Sequence, residues 1–131
     1  MSDNVTFSGA IVKDPVLKFL DSGKAVTNFT IRVVTGKKSD NQDYPPSMFL
    51  DVAVWDALAE NVAESLHDKD RVIVVGKLVA DSWEDKDTGK KVTKVKVNAF
   101  EVGADLAYAC VTVEQNDRTG RKPRKTNDPG F

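Results

Sequence analysis

Met48-Phe49-Leu50-Asp51-Val52-Ala53-Val54-Trp55 runs directly into Asp56-Ala57-Leu58-Ala59-Glu60-Asn61-Val62-Ala63-Glu64-Ser65-Leu66, and the apolar period changes at the junction. In the first part Leu50, Val52 and Val54 share one parity, while Phe49, Asp51, Ala53 and Trp55 share the other. Such alternation marks a strand with one face in a core. In the second part Leu58, Val62 and Leu66 recur every fourth residue beside Ala59 and Ala63, which is a single apolar stripe on a helix. Asp56 is the residue type that caps a helix N-terminus. His67-Asp68-Lys69-Asp70 closes the helix. A strand followed without a linker by one helix is the pivot from which the rest of the chain is read.

Upstream, Val5, Phe7, Gly9 and Ile11 share one parity. Asp14-Pro15 should break that run, because proline lacks a backbone donor. Asp21-Ser22-Gly23-Lys24 is a turn signal. Ala25, Phe29, Ile31 and Val33 then face one way, with Asn28, Thr30 and Arg32 facing the other. Gly36 to Ser47 has no period and contains Pro45-Pro46, so it reads as a long loop, a feature often tied to function. Downstream, Arg71 to Ala80 is apolar and β-branched and reads as a strand buried on both faces, with Gly76 at a bend or bulge. Trp83 opens a charged hairpin tip, Glu84 to Lys91. The last strand, Val92 to Phe100, should put Val95, Val97 and Ala99 inward and Val92, Lys94, Lys96 and Asn98 outward. Leu106 to Val113 is apolar but has no assigned place.

The order is three strands, a helix, two strands. This predicts an all-β fold: a five-stranded OB-fold Greek-key barrel with one helix between strands 3 and 4. Residues 1–113 form the barrel domain. Residues 114–131 carry Arg118, Arg121, Lys122, Arg124 and Lys125 with almost nothing apolar, the composition of a disordered basic C-terminal tail.

Composition bounds the function. The chain has 131 residues, enough for one domain with a real core. Its 19 Lys and Arg nearly cancel 20 Asp and Glu, so any anion site must come from local placement of cations rather than from bulk charge. No apolar run reaches the roughly 20 residues of a membrane span. Met1-Ser2-Asp3-Asn4 lacks the basic and apolar regions of a signal peptide. Cys110 is the single cysteine, so no internal disulfide forms and a reducing interior is expected. His67 is the single histidine and has no cysteine near it in sequence, which argues against a zinc site. There is no phosphate-binding glycine loop of the Walker type and no isolated acid/base pair. The chain is therefore not expected to be an enzyme or to need a cofactor or metal.

A series of marks in fixed order resembles the bacterial and phage single-stranded DNA-binding protein family. Gly9 precedes Asp14-Pro15 and Lys18-Phe19; then come Ser22-Gly23-Lys24-Ala25-Val26-Thr27-Asn28-Phe29, Trp55 before Leu58-Ala59-Glu60, Asp70-Arg71-Val72 before Gly76-Lys77-Leu78, and Trp83 before a hairpin with Gly89. The resemblance covers about residues 4–106. It implies sequence-independent binding and protection of single-stranded DNA in replication, recombination and repair, a homotetramer, and a place in the bacterial cytoplasm and nucleoid, or in the host cytoplasm for a phage protein. It also implies that Phe49, Trp55 and Trp83 match positions where bases stack. The chain departs from the family pattern at Asp51 and Ala57, where many relatives are basic, and at Lys37-Lys38, where many carry an aromatic. Relatives often end in an acidic run closing with Pro-Phe that recruits replication and repair proteins; here the end is Asn127-Asp128-Pro129-Gly130-Phe131 after a basic stretch.

The residues themselves fit such a ligand. Aromatic rings stack on any base, contributing roughly 1–3 kcal/mol each, and cations along the same groove neutralise phosphates. The candidate DNA-binding set is Arg32, Lys37, Lys38, Phe49, Trp55, Lys77, Trp83, Lys94 and Lys96. Trp55 also suits a core position beside the helix, and Lys94 with Lys96 also suits a plain solvated strand face. A cold-shock type RNA-binding barrel usually lacks the helix after strand 3. An OB-fold protein-interaction or primosome accessory module remains the alternative, supported by the near-neutral charge and Asp51. Ile73 or Val75 on an outer face could pair subunits.

Overall fold

The computed structural model describes residues 3–116. The order of elements is β1 (Val5–Phe19), β2 (Ala25–Val34), β3 (Ser47–Trp55), α1 (Asp56–Ser65), β4 (Arg71–Glu84) and β5 (Lys91–Ala104). The strands close into a barrel in the order β1-β2-β3-β5-β4, with β1 also paired to β4. All pairs are antiparallel except β3 with β5. This is the predicted OB topology, and its core is Ile11, Phe29, Ile31, Leu50, Val52, Val54, Val72, Val74 and Val97 with smaller neighbours.

Helix α1 touches β1, β2, β3 and β5 and feeds Ala59 and Val62 into the core, joined by Leu66 at its C-cap. One hydrogen bond ties it down: the fully buried Thr27 hydroxyl donates to the Ala59 carbonyl at 2.7 Å. Thr27 shares the inward parity of Ala25 and Phe29, so only its hydroxyl needs a partner, and the helix supplies one. The helix start differs from the sequence expectation. Asp56 is the first helical residue, not the cap; it has φ 59, and Trp55 stands at the cap position with no side-chain bond. The strand enters the helix so abruptly that the turn is taken up by a left-handed Asp56.

Three further expectations change. Asp14-Pro15 does not end β1; the strand continues to Phe19 through a bulge between Val12 and Val16. Lys13 takes φ 72 there. The Lys13 N–H donates to Asp68 Oδ1 and the Asp68 N–H donates to Asp14 Oδ1, both at 2.8 Å, so the turn after α1 clasps the bulge. Proline is tolerated because the bulge leaves it outside the ladder. Strand β4 is buried on one face only: Val72 and Val74 are inside, while Ile73 is exposed. Val95 is 47% exposed rather than inward, because the β4–β5 hairpin runs past the end of the barrel.

Gly76 does sit at a bulge. Val75 faces Glu101 while Gly76 faces Ala99, which leaves Phe100 as the extra residue. Parity inverts there, so Val97 and Ala99 point inward before it and Val102 packs against the core after it. The strand thus reaches Ala104, beyond the predicted end. Residues 105–116 carry neither helix nor strand, and Leu106, Tyr108, Val111 and Val113 are exposed. Asn116 returns to α1 through its amide, which donates to Asn61 Oδ1 at 2.8 Å. The remaining basic tail and Phe131 lie outside the described residues.

A Cβ on Gly76 would overlap the Asn98 carbonyl oxygen and crowd Ala99 Cα, both backbone atoms that cannot swing away. Gly76→Ala should therefore lower unfolding free energy by about 2 kcal/mol, measured by urea titration. Thr27→Val keeps the volume but removes the bond to Ala59, and should lower it by about 1 kcal/mol in the same titration.

Candidate nucleic-acid interface

The side of β2, β3, β5 and β4 that faces away from the core can be built from the ladder register, since cross-strand partners share a face. Thr30, Asp51, Lys96 and Val79 form one row across four strands. Asn28, Ala53, Asn98 and Lys77 form the next. Arg32 faces Phe49 on one side of these rows, and Val26 faces Trp55 on the other. The hairpin extends the surface, with Asp81 opposite Lys94 and Trp83 opposite Val92. These pairs keep the parity of Lys77–Asn98 and Val79–Lys96, so Trp83 shares a face with Lys77, Lys94 and Lys96.

Three aromatic rings stand on this outer parity. Phe49 is 66% exposed, Trp83 47% and Trp55 38%. For a large apolar ring, exposure on a non-core face leaves most of one surface without packing, which makes it available for stacking. Phe49 and Trp55 occupy opposite ends of β3, about 20 Å apart at the usual rise per residue. Trp55, for which a core role was also open, is half exposed at the helix junction. Phe19 and Tyr44 are exposed as well, at the end of β1 and in the β2–β3 loop. Lys37 and Lys38 are exposed on that same loop, which leaves the barrel at the Arg32–Phe49 end.

A groove of about 450 Å³ crosses the middle of the face. The β1 bulge forms one wall with Val12, Lys13, Asp14 and Val16; Asn28, Thr30 and Asp51 form the floor; Asp81, Lys94 and Lys96 form the far side. The cations here are not bare. Lys94 Nζ lies 2.6 Å from Asp51 Oδ2, and Lys96 Nζ lies 3.7 Å from Asp81 Oδ2. The Thr30 hydroxyl donates to Asp51 Oδ1 at 2.8 Å. Arg32 Nε donates to the Ser47 hydroxyl at 3.1 Å, which leaves the rest of its guanidinium for another acceptor. The Lys94 hydrogen bond holds the Asp51 carboxyl below the usual carboxylate range, against the opposing effect of partial burial and with help from the Thr30 hydroxyl. Asp51 in turn pushes the Lys94 ammonium up. Both groups are therefore charged at neutral pH. Asn98 Oδ1 is buried and accepts no hydrogen bond from the described residues.

The register thus puts Arg32, Phe49, Lys77, Trp83, Lys94 and Lys96 on the outer parity of the sheet, with Trp55 at its far end and Lys37 and Lys38 on an adjoining loop. Only Lys94 and Lys96 of these line the groove, and Ala53 and Val26 of the same parity are buried. Sequence reading missed the groove. Asn28 and Thr30 carried a signal, since they share the outward parity of Arg32. Val12 carried one too, since its parity is opposite to that of Ile11. Asp14 and Val16 carried none, because they lie at and beyond a bulge held by residues more than fifty positions away. Among the described residues no group of His, Cys, Asp and Glu could hold a metal ion, and no helix is long and apolar enough to cross a membrane.

Residues 2–105 match the family described as the Single-strand binding protein family. Similar proteins named "Single-stranded DNA-binding protein" include one from Corynebacterium glutamicum, 41% identical over 120 residues, covering 89% of this chain and 53% of that protein. Another, from Mycobacterium leprae, is 39% identical over 120 residues, covering 88% of this chain and 70% of that protein. The chain therefore spans about half the length of the Corynebacterium relative. The fold is similar to the crystal structure of a small single-stranded DNA-binding protein from Streptomyces coelicolor, with TM-score 0.71, 24% identity, and coverage of 83% of this chain and 99% of that one. On this match, which takes in every strand and the helix, the chain belongs to the Single-strand binding protein family.

Proposed function

We propose that this chain binds single-stranded DNA without sequence preference and shields it during replication, recombination and repair. The observation that carries this reading is the set of half- or mostly exposed rings, Phe49, Trp55 and Trp83, interleaved with Arg32, Lys77, Lys94 and Lys96 on the non-core face. Bases stack on the rings, and the cations meet the phosphates between them. A duplex hides its base faces, so the same surface discriminates against it. The rings supply sequence tolerance as well, since every base offers a π-face. Lys37 and Lys38 on the β2–β3 loop add phosphate contacts as the loop closes over a bound strand.

In this reading residues 1–113 are the binding domain, and residues 114–131 are a basic tail that adds non-specific affinity or carries a partner motif ending at Phe131. The chain works as a homotetramer in the bacterial cytoplasm and nucleoid, or in a host cytoplasm, and performs no catalysis. Exposed Ile73 on the outer face of β4 supports subunit pairing.

Titration with oligo-dT should quench tryptophan fluorescence strongly, with weaker quenching at higher salt and little response to duplex DNA. Trp83→Ala and Phe49→Ala should each lower affinity by about tenfold, equivalent to loss of one stacked base. Unaltered affinity in both variants would move the binding surface away from these rings, whereas no binding of oligo-dT by the parent chain would favour a protein-interaction module. Sedimentation at micromolar concentration should give a tetramer; a monomer there would remove the assembly proposal.

A further inference from the structure

Two of the cations on the proposed surface already hold anions of the protein's own. Asp51 Oδ2 lies 2.6 Å from Lys94 Nζ, within charge-assisted hydrogen-bond range. Its other oxygen is held by the Thr30 hydroxyl at 2.8 Å, so the carboxylate has a fixed orientation on the groove floor. Lys96 is the cross-strand partner of Asp51 and lies 3.7 Å from Asp81 Oδ2 on the far side of the groove. An aspartate oxygen and a phosphate oxygen ask the same thing of an ammonium group. We propose that Asp51, assisted by Asp81, is a resident competitor for the DNA phosphate, set on the binding face to weaken the electrostatic part of single-strand affinity. This rests on the single-strand binding reading and adds to it an affinity-setting role for two acidic side chains.

The consequence follows from counterion accounting. A phosphate that takes a lysine releases its condensed cation, which makes binding salt-dependent. If that lysine comes from Lys94, Asp51 is left unpaired beside a polyanion. It must then recruit a cation in turn or repel the strand, so the net release is smaller. Binding should depend less on salt than the number of lysines on the face implies, and a larger share of the affinity should come from stacking on Phe49, Trp55 and Trp83. The groove also stays near neutral when empty, in keeping with a chain whose formal net charge is −1.

The test uses the full chain and oligo-dT, with tryptophan quenching read at several salt concentrations. Asp51→Asn preserves shape and the capacity to accept from Thr30, while freeing Lys94. It should bind about fivefold more tightly at low salt, and the slope of log affinity against log salt should steepen by about 0.7, the value for one additional phosphate contact on a single strand. Asp81→Asn should shift both quantities in the same direction. Lys94→Gln should cost more affinity in the Asp51→Asn background than in the parent, because only there is the lysine uncommitted. Equal or weaker binding by both aspartate variants, with an unchanged salt slope, would overturn the competitor role while leaving single-strand binding intact. Failure of the parent chain itself to bind oligo-dT would overturn the underlying reading and the competitor role together.

Discussion

Strand β1 must pair with two partners, and closure of the barrel depends on it. Its first half lies against β4 and its second against β2, and Ala10 faces Arg71 on one side and Arg32 on the other. A strand that serves both edges of a sheet leaves no open edge, the condition for a stable closed barrel. The price is sharp curvature. At the seam the backbone of Gly9 runs so close to the Arg32 carbonyl that a Cβ would overlap it. Opposite, Gly76 meets the Asn98 carbonyl in the same way. Two glycines on neighbouring strands therefore let the sheet close, and the bulges at Val12–Val16 and Phe100 absorb the remaining bend.

Those same distortions build the proposed binding face. The bulge in β1 carries Asp14 and Val16 to the rim of the groove, beside Val12, which faces outward in the regular ladder opposite Thr30. The clasp between Lys13, Asp14 and Asp68 holds the bulge in place, so the turn after α1 supports a surface it does not itself line. The extra residue in β5 lets one strand send Val97 and Ala99 inward and later Val102 as well, without reversing the outward Lys94, Lys96 and Asn98. Beyond the barrel, the β4–β5 hairpin is free of core demands on either face. That explains both the exposure of Val95 and the position of Trp83 among solvent-facing charges.

The charge pattern has a similar logic. Asp51 stands between Thr30 and Lys96 in one cross-strand row and bonds to Lys94. Opposite charges placed across strands stabilise a sheet modestly. They also lower the net field of the surface without removing its cations. On this face the balance is struck locally, Lys94 against Asp51 and Lys96 against Asp81, so the cations are kept while the net field falls.

Much of this was legible in the linear chain. Alternation in Phe49 to Trp55 determined which side of β3 is wet, and the switch of period at Asp56 determined the single helix, because both depend only on spacing along the chain. Parity likewise placed Arg32, Lys94 and Lys96 on an outer face. Tertiary structure alone decided the rest. Spacing cannot show that Asp14-Pro15 is carried inside a strand, because the bulge is held by Asp68; nor that Val95 is exposed, because that depends on where the barrel ends; nor that Asp56 starts the helix in a left-handed conformation, because that depends on the angle at which β3 must meet α1. It also cannot show that Lys94 is already engaged. Asp51 lies on another strand, forty-three positions earlier in the chain, and only the parallel pairing of β3 with β5 brings the two together.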